Sequence, residues 1–500
     1  MALQSAFGQS ALGAASLMRH LGQWRSEGAG DPAYRQLARA LKLLVMDGRI
    51  PLGIRVPGER ELALALSISR TTVAAAFNQL RDEGYLLSRQ GSGTVTRVPG
   101  GRAAATDIES DVDQDGMIDW TAAALPAPAG VWQAYEAALT QLPAWLSGLG
   151  YEASGIPRLR EAIAADYARR GCPTRPDQIL VTSGAQHALM LILRLLTGPG
   201  DRIVVDHPTY HNALSAIARN NCRAVPVGLP AQSWDMEAMD AAMRQTAPRF
   251  AYVIADYHNP TGRHMDSETR RKLVEAASRT RTPLVIDETM ADIALDSDLF
   301  GQGADGAVVP VATFDTDGTV ISIGSASKRY WGGLRIGWIR ADEQTIAALG
   351  RIRATVDMAT PVVEQLAVAA LLEGSVEIDG ARRAEMRDAR DRLVAALTDR
   401  LPDWRVPVPA GGLNLWVEMP RAEASALAAM AQAHGLRIVP GPRFGMDGAF
   451  ERFVRLPFTL PPAQLMLAID RLASAADRLH ARVRPMANVA TWAMEAERII

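Results

Sequence analysis

Lys328 is one of three lysines in a chain with 53 basic residues. It lies in GSASKRYWGGLRIGW, between two serines and a downstream arginine. An amine persists in so arginine-rich a chain where it does what a guanidinium cannot, and attack on a carbonyl to form a Schiff base is such chemistry. Lys42 and Lys272 lie in amphipathic helical patterns with charged neighbours. Asp287 closes the apolar run TPLVIDET, where a carboxylate can hold a proton on a ring nitrogen. In VTSGAQHALMLILRLL a strand, a Ser-Gly turn and a helix follow one another, so the amides of Gly184 and Ala185 point outward as an anion nest. Ser325 and Arg335 add a hydroxyl and a guanidinium suited to a phosphate. Asn259 in YHNPTG places an amide after another strand, and Tyr210 in DHPTY offers a ring that can stack on a flat ligand. Singly, a strand-end Asp reads as a helix cap and a lone Tyr as packing. Together, sites for a phosphate, an aromatic nitrogen, a flat ring and an amine describe pyridoxal 5′-phosphate held by Lys328.

The elements that must position these residues follow from periodicity. The runs QILVTSG, DRIVVDHP, FAYVIADYHNP, TPLVIDET, VISIGSASK and LRIGWIRA alternate with helical patterns. That alternation predicts a mostly parallel sheet covered by helices on both faces, with ligands at the carboxyl ends of the strands. At 500 residues, 48% of them hydrophobic, the chain exceeds one core and is expected to be multidomain. No apolar run is long enough to span a bilayer and the start lacks a signal-peptide pattern, so the expected location is the cytoplasm, with no membrane partner. Cys172 and Cys222 have neither disulfide-framework nor zinc spacing and read as buried apolar residues, with no metal site.

The N-terminal segment has a different character. Between Asp31 and Arg97 ten basic residues face six acidic ones, although the whole chain carries −2. That is a weak footprint for a polyanion partner. PAYRQLARALKLLVMDGRI predicts a helix opened by Pro32 and stopped at Gly48, and VPGERELALALS a second. Ser69 is a candidate N-cap for a third helix in RTTVAAAFNQLRDEGYL, which makes a helix-turn-helix. YLLSRQGSGTVTRV then reads as a two-stranded wing. Residues 99–117 are rich in Gly, Ala and Asp and read as a flexible linker.

The run GRIPLGIRVPGERELALALSISRTTVAAAFNQLRDEGYLLSRQGSGTVTRV resembles the winged helix-turn-helix of the GntR regulators. That likeness implies double-stranded DNA as partner, with Arg60, Ser69, Arg70, Thr71 and Thr72 at phosphates and base edges and Gln90 and Gly91 at the wing tip. Ala74 stands where some members carry a base-reading Arg. Further on, TSGAQ, DHPTY, NPTG, VIDE, SASK with GLRIG, and FVRLPF resemble, in that order, the fold type I aminotransferases. By that resemblance Lys328 is the catalytic, cofactor-bonding lysine, Asp287 pairs with the pyridine nitrogen and Asn259 bonds the phenolic oxygen. Tyr210 stacks on the ring, while Ser183, Gly184, Ala185, Gln186, Ser325 and Arg335 hold the phosphate. Arg455 grips a substrate carboxylate, and Tyr151 matches a tyrosine that reaches the neighbouring subunit, one residue out of register. Thr289 replaces a tyrosine that donates to the phenolic oxygen, which puts efficient transamination in doubt but not cofactor binding.

The whole order resembles the MocR-type regulators. The implied architecture is an N-terminal extension (1–30), a winged helix-turn-helix (31–98), the linker (99–117), a PLP-dependent transferase body of fold type I with a smaller C-terminal subdomain (118–480), and a tail (481–500). The implied function is transcription regulation by a domain-swapped homodimer, with pyridoxal phosphate or a small amino compound as effector of operator binding. A working aminotransferase with an appended DNA-binding domain is the alternative.

Overall fold

The computed structural model describes residues 12–22, 24–25, 31–46, 50, 54–89, 93–97, 117–128, 130–230, 233–296 and 308–481. Gln90 and Gly91, nearly all of the linker and all but the first residue of the tail lie outside the described residues.

The N-terminal unit contains α1 (Ala14–Leu21), α2 (Ala33–Met46), α3 (Glu59–Leu66) and α4 (Arg70–Asp82), then the antiparallel strands β1 (Leu86–Arg89) and β2 (Gly93–Thr96). Its core joins Leu37, Leu41, Leu62, Val73 and Phe77 at helical spacing on α2 to α4. Leu17 and Leu21 of α1 belong to the same core, so part of the N-terminal extension packs on the reader.

After β3 (Ile118–Asp119) and the helices α5 (Gly130–Gln141) and α6 (Pro157–Arg169), the chain builds a seven-stranded sheet. Its strands are β4 (Ile179–Thr182), β5 (Arg202–His207), β6 (Arg223–Gly228), β7 (Phe250–Val253), β8 (Leu284–Asp287), β9 (Val320–Ser325) and β10 (Gly337–Arg340). The order is β4-β10-β9-β8-β7-β5-β6, parallel except for β10, which runs antiparallel to both neighbours. Six of the seven are the apolar runs read from sequence. The seventh, β6, contains Pro226 and escapes that reading because an edge strand tolerates a residue without an N–H.

The helices α7 (Ala185–Leu196), α8 (His211–Arg219) and α12 (Glu343–Arg353) cover one face, where Leu191, Ile192 and Leu349 are buried. On the other lie α5, α6, α9 (Met236–Thr246), α10 (Ser267–Thr280) and α13 (Val362–Glu373). The one-turn helix α11 (Ala326–Arg329) follows β9. A smaller subdomain has its own core from α14 (Ser375–Arg400), α15 (Ala424–Ala433) and α16 (Pro462–Ala481) around an antiparallel sheet of β11 (Asn414–Glu418), β13 (Val439–Pro440) and β14 (Phe453–Pro457). There β12 (Leu436–Arg437) pairs in parallel with β3, so the segment that follows the linker is stitched into this subdomain. Among the described residues no helix is long and apolar enough to cross a membrane, and Cys172 and Cys222 are buried and free.

Candidate functional site

Strand β8 delivers Asp287 and the turn after β9 delivers Lys328, both at carboxyl ends of the sheet. Asp287 is 7% exposed and accepts two hydrogen bonds, from the Tyr252 hydroxyl at 2.6 Å and the Thr289 amide at 3.0 Å. Both donors fix the carboxylate at the strand end, where it can accept from a ring N–H. Tyr252 is fully buried on β7, and burial together with Asp287 pushes its phenol well above the usual range, so it stays a donor.

Lys328 Nζ donates to the Ala123 carbonyl at 2.7 Å. Desolvation, reinforced by the Arg455 and Arg335 guanidiniums and opposed by Asp287, brings its ammonium down to about 8. At neutral pH an appreciable share of such an amine is unprotonated and nucleophilic. Arg455, 4% exposed on β14, stacks 5.0 Å over the Phe444 ring. Its Nη2 donates to the Thr121 carbonyl and its Nη1 to Asn259 Oδ1 at 3.4 Å, while its buried Nε has no hydrogen-bond partner. Burial, with Arg443 nearby, lowers this guanidinium to about 10. Asn259 and Arg455, far apart in sequence, are thus neighbours here.

At the other end of the site, Gly184 caps α7 with φ +96°, and a Cβ there would lie 2.7 Å from Arg335 Nη2. That side chain donates to the Ser183 carbonyl at 3.3 Å, which places a guanidinium against the first amides of α7. The Ser183 amide donates to His187 Nδ1 at 3.0 Å and its hydroxyl faces Asp357 Oδ2 at 3.5 Å. Ala185 begins α7 and Gln186 follows, with Gln186 Oε1 buried and unpartnered. Ser325 uses its hydroxyl as the cap of α11: it accepts from the Ser327 amide at 3.1 Å and donates to the Ile336 carbonyl at 3.3 Å. The Ser327 hydroxyl, by contrast, is buried without a hydrogen-bond partner, as is that of Thr209 beside Tyr210. Tyr210, half-buried at the N-cap of α8, accepts from Asn212 Nδ2 at 2.9 Å. Tyr151 is 64% exposed on the loop before α6.

These features fit pyridoxal phosphate. Buried polar atoms without partners at Gln186, Ser327 and Arg455 await acceptors or donors. Gly184 keeps backbone and guanidinium close where a side chain would intrude. Sequence reasoning missed Tyr252, because a tyrosine in an apolar strand reads as core. It did not single out Ser327 beside Ser325, because residue type does not show which hydroxyl is left unpartnered, nor the Thr121 and Ala123 carbonyls, because a backbone acceptor has no residue-type signal.

In the N-terminal unit, the Ser69 hydroxyl accepts from the Thr72 amide at 3.0 Å and lies 2.7 Å from the Thr71 hydroxyl and 2.8 Å from that of Thr72. This caps α4, the second helix of the helix-turn-helix. Arg70 is mostly exposed, with Nε 3.7 Å from Glu59 Oε2, and Arg60 is exposed on α3. The exposed Arg70 guanidinium and the capped amides share the N-terminal end of α4, an arrangement suited to phosphate.

Residues 149–472 match the family described as Aminotransferase class I and II, and residues 33–96 match Bacterial regulatory proteins, gntR family. A relative from Bacillus subtilis, described as uncharacterized HTH-type transcriptional regulator YisV, is 27% identical over 79% of this chain and 86% of its own. The probable rhizopine catabolism regulatory protein MocR of Rhizobium meliloti is 28% identical over 82% of this chain and 87% of its own. Among solved structures, LysN, the alpha-aminoadipate aminotransferase of Thermus thermophilus complexed with a phosphopyridoxyl-leucine, superposes with TM-score 0.66 at 25% identity, covering 75% of this chain and 97% of that one. The cofactor of this family is pyridoxal phosphate. With a capped reader helix at one end and a Lys328–Asp287–Arg455 site at the other, the chain belongs to the class I and II aminotransferase family and joins that fold to a GntR-type DNA-binding domain, in the arrangement of the MocR-type regulators.

Proposed function

We propose that this protein is a transcription regulator in which pyridoxal phosphate, or its adduct with a small amino compound, sets how tightly the reader binds a double-stranded operator. The observation that carries this reading is the path of residues 119–125. They follow the linker directly, and two of their carbonyls are held by site residues, Thr121 by Arg455 and Ala123 by Lys328. When bound, the cofactor supplies an aldehyde carbon that Lys328 holds covalently and yields to a ligand amine.

Lys328 would leave Ala123 when engaged with that carbon and return once a ligand amine displaces it, and Arg455 would leave Thr121 when its fork takes a ligand carboxylate. Asp287, oriented by Tyr252 and the Thr289 amide, holds the proton on the ring nitrogen. Asn259 bonds the phenolic oxygen and Tyr210 stacks on the ring. Ser183, Gly184, Ala185, Gln186, Ser325 and Arg335 surround the phosphate, with Ser327 supplying the spare hydroxyl. Arg60, Ser69, Arg70, Thr71 and Thr72 contact DNA, with Gln90 and Gly91 at the wing tip. Changing the partners of residues 119–125 shifts the population of reader arrangements through the linker.

This reading divides the chain into a reader (31–98), a linker (99–117) and a transferase-like body (118–480), in a cytoplasmic, domain-swapped homodimer. Trp132, Leu139, Leu146 and Leu149, the last 89% exposed, offer apolar surface to a second copy. Fluorescence anisotropy on DNA upstream of the protein's own gene, at fixed salt and with or without pyridoxal phosphate, tests it. Affinity that is the same in cofactor-free, cofactor-bound and amine-treated protein would overturn it. The joint presence of Lys328, Asp287 and Arg455 favours a second reading as a working aminotransferase, for which sustained turnover of an amino donor and a keto acid is the test.

A further inference from the structure

The helix that carries Lys328 is a single turn of four residues, far below the length at which a helix holds itself. Its geometry is imposed from outside. Ser325 caps it, and the Ala326 amide donates to the Ile336 carbonyl at 3.0 Å. Arg329, next to Lys328 and 7% exposed, donates through Nη1 to Asp166 Oδ1 at 3.3 Å and lies 3.6 Å from Asp292 Oδ1.

The residue next to Asp287 is anchored in the same place. Glu288 accepts from the Tyr167 hydroxyl at 2.7 Å and the Ser322 hydroxyl at 2.9 Å, and lies 3.8 Å from Arg170 Nη2. Arg170 closes the circuit, with Nε 3.2 Å from Asp166 Oδ2. A chain of alternating charge therefore runs Glu288–Arg170–Asp166–Arg329–Asp292, buried except at Asp292, in which Glu288 adjoins Asp287 and Arg329 adjoins Lys328. Buried ion pairs are poor stabilisers, and their best-attested use is to fix one arrangement among several.

We propose that Asp166 of α6 is a positioning residue for the Lys328 amine: with Arg170 and Arg329 it holds the one-turn helix and the end of β8 in register, so that amine and carboxylate keep their relation. This rests on the assignment of Lys328 to the cofactor aldehyde. The test reads the amine alone, so its failure is distinct from a failure of DNA regulation. Arg455, Arg335 and Asp287 are the charged groups facing that amine, and they stay unchanged in the variants.

The chain's lysine content makes the test clean. The full-length protein, freed of cofactor, is reductively methylated across pH, and labelling of Lys328 is measured by peptide mass spectrometry against Lys272, whose side chain is 57% exposed. In Asp166→Asn, Arg169, Arg170 and Arg329 lose a neutralising carboxylate, so the Lys328-to-Lys272 ratio near pH 7.5 should rise roughly twofold, which is what a drop of half a pKa unit from about 8 gives at that pH. In Arg329→Met the carboxylates are left in excess and the ratio should fall by a similar factor. Asp292→Asn, at a more open position, carries the same expected sign as Asp166→Asn if the latter does not fold. Ratios equal to the parent's, or both variant types moving in one direction together with a loss of thermal stability, would overturn the proposal.

Discussion

The Tyr252 hydroxyl donates to Asp287 Oδ2 across 2.6 Å between the paired strands β7 and β8, with both side chains removed from solvent. A chain that carries Thr289 in place of a tyrosine near this carboxylate therefore supplies a phenol to the carboxylate itself, from the neighbouring strand.

Tyr252→Phe should leave Asp287 Oδ2 short of a donor. A hydrogen bond to a charged group contributes about 1.5–3 kcal/mol, so affinity for pyridoxal phosphate should fall about tenfold or more. Equilibrium binding followed by cofactor absorbance measures this. Unchanged affinity would mean that the Thr289 amide alone suffices to orient Asp287.

Lys328→Ala should bind pyridoxal phosphate without a borohydride-reducible link, and DNA affinity should no longer respond to amino compounds. A reducible link that survives the substitution would move the assignment to Lys42 or Lys272, as a mass-spectrometric map of the reduced protein would reveal.

Arg455→Ala should weaken carboxylate-bearing amino ligands by about 1.5–3 kcal/mol while changing cofactor affinity little. Spectral titration with an amino acid and with its decarboxylated amine separates the two effects. Equal loss for both ligands would mean that Arg455 does not read the carboxylate.

In the reader, Arg70→Ala should cost about 1–3 kcal/mol of DNA binding if the guanidinium contacts a base. Its Glu59 pair is exposed, so folding stability should stay the same. Ser69→Ala removes the cap of α4 and should lower reader stability by about 1 kcal/mol. Anisotropy and thermal melting distinguish these outcomes, and a stable Arg70 variant with full affinity would place that residue outside the interface.

Asp206 and His258 give a signed pH dependence. Burial pushes the Asp206 carboxyl up to about 7, although Trp234 Nε1 and the Ile254 amide both donate to it at 3.1 Å. A carboxyl whose folded pKa exceeds its unfolded value of about 3.9 contributes stability that is full below that pH and is lost as pH rises through 7. His258, with Nε2 3.7 Å from Asp206 Oδ2, is held down to about 3 by burial, so its contribution is full above about 6.5 and is lost as pH falls. Asp206→Asn should flatten the decline of the thermal midpoint between about pH 4 and 7. A profile parallel to the parent's would mean that this carboxyl is ionised throughout.

The sequence by itself determined the order of elements and the residue types at strand ends. Apolar runs at Ile179, Leu284 and Val320 and turns at Ser183, Asp287 and Lys328 are local features, written within a few residues of one another. The same holds for Ser69, whose role as cap needs only the helix that follows it. Tertiary structure alone decided that the Tyr252 hydroxyl meets Asp287, that Ser325 is spent as a cap while Ser327 stays unpartnered, and that Asp166 lies under Arg329. It also brought the carbonyls of Thr121 and Ala123 to Arg455 and Lys328, across separations of more than two hundred residues. The reason is physical: periodicity reports which face of an element is buried, whereas a hydrogen bond between distant segments depends on how the sheet and the smaller subdomain close on each other, and no local pattern encodes that.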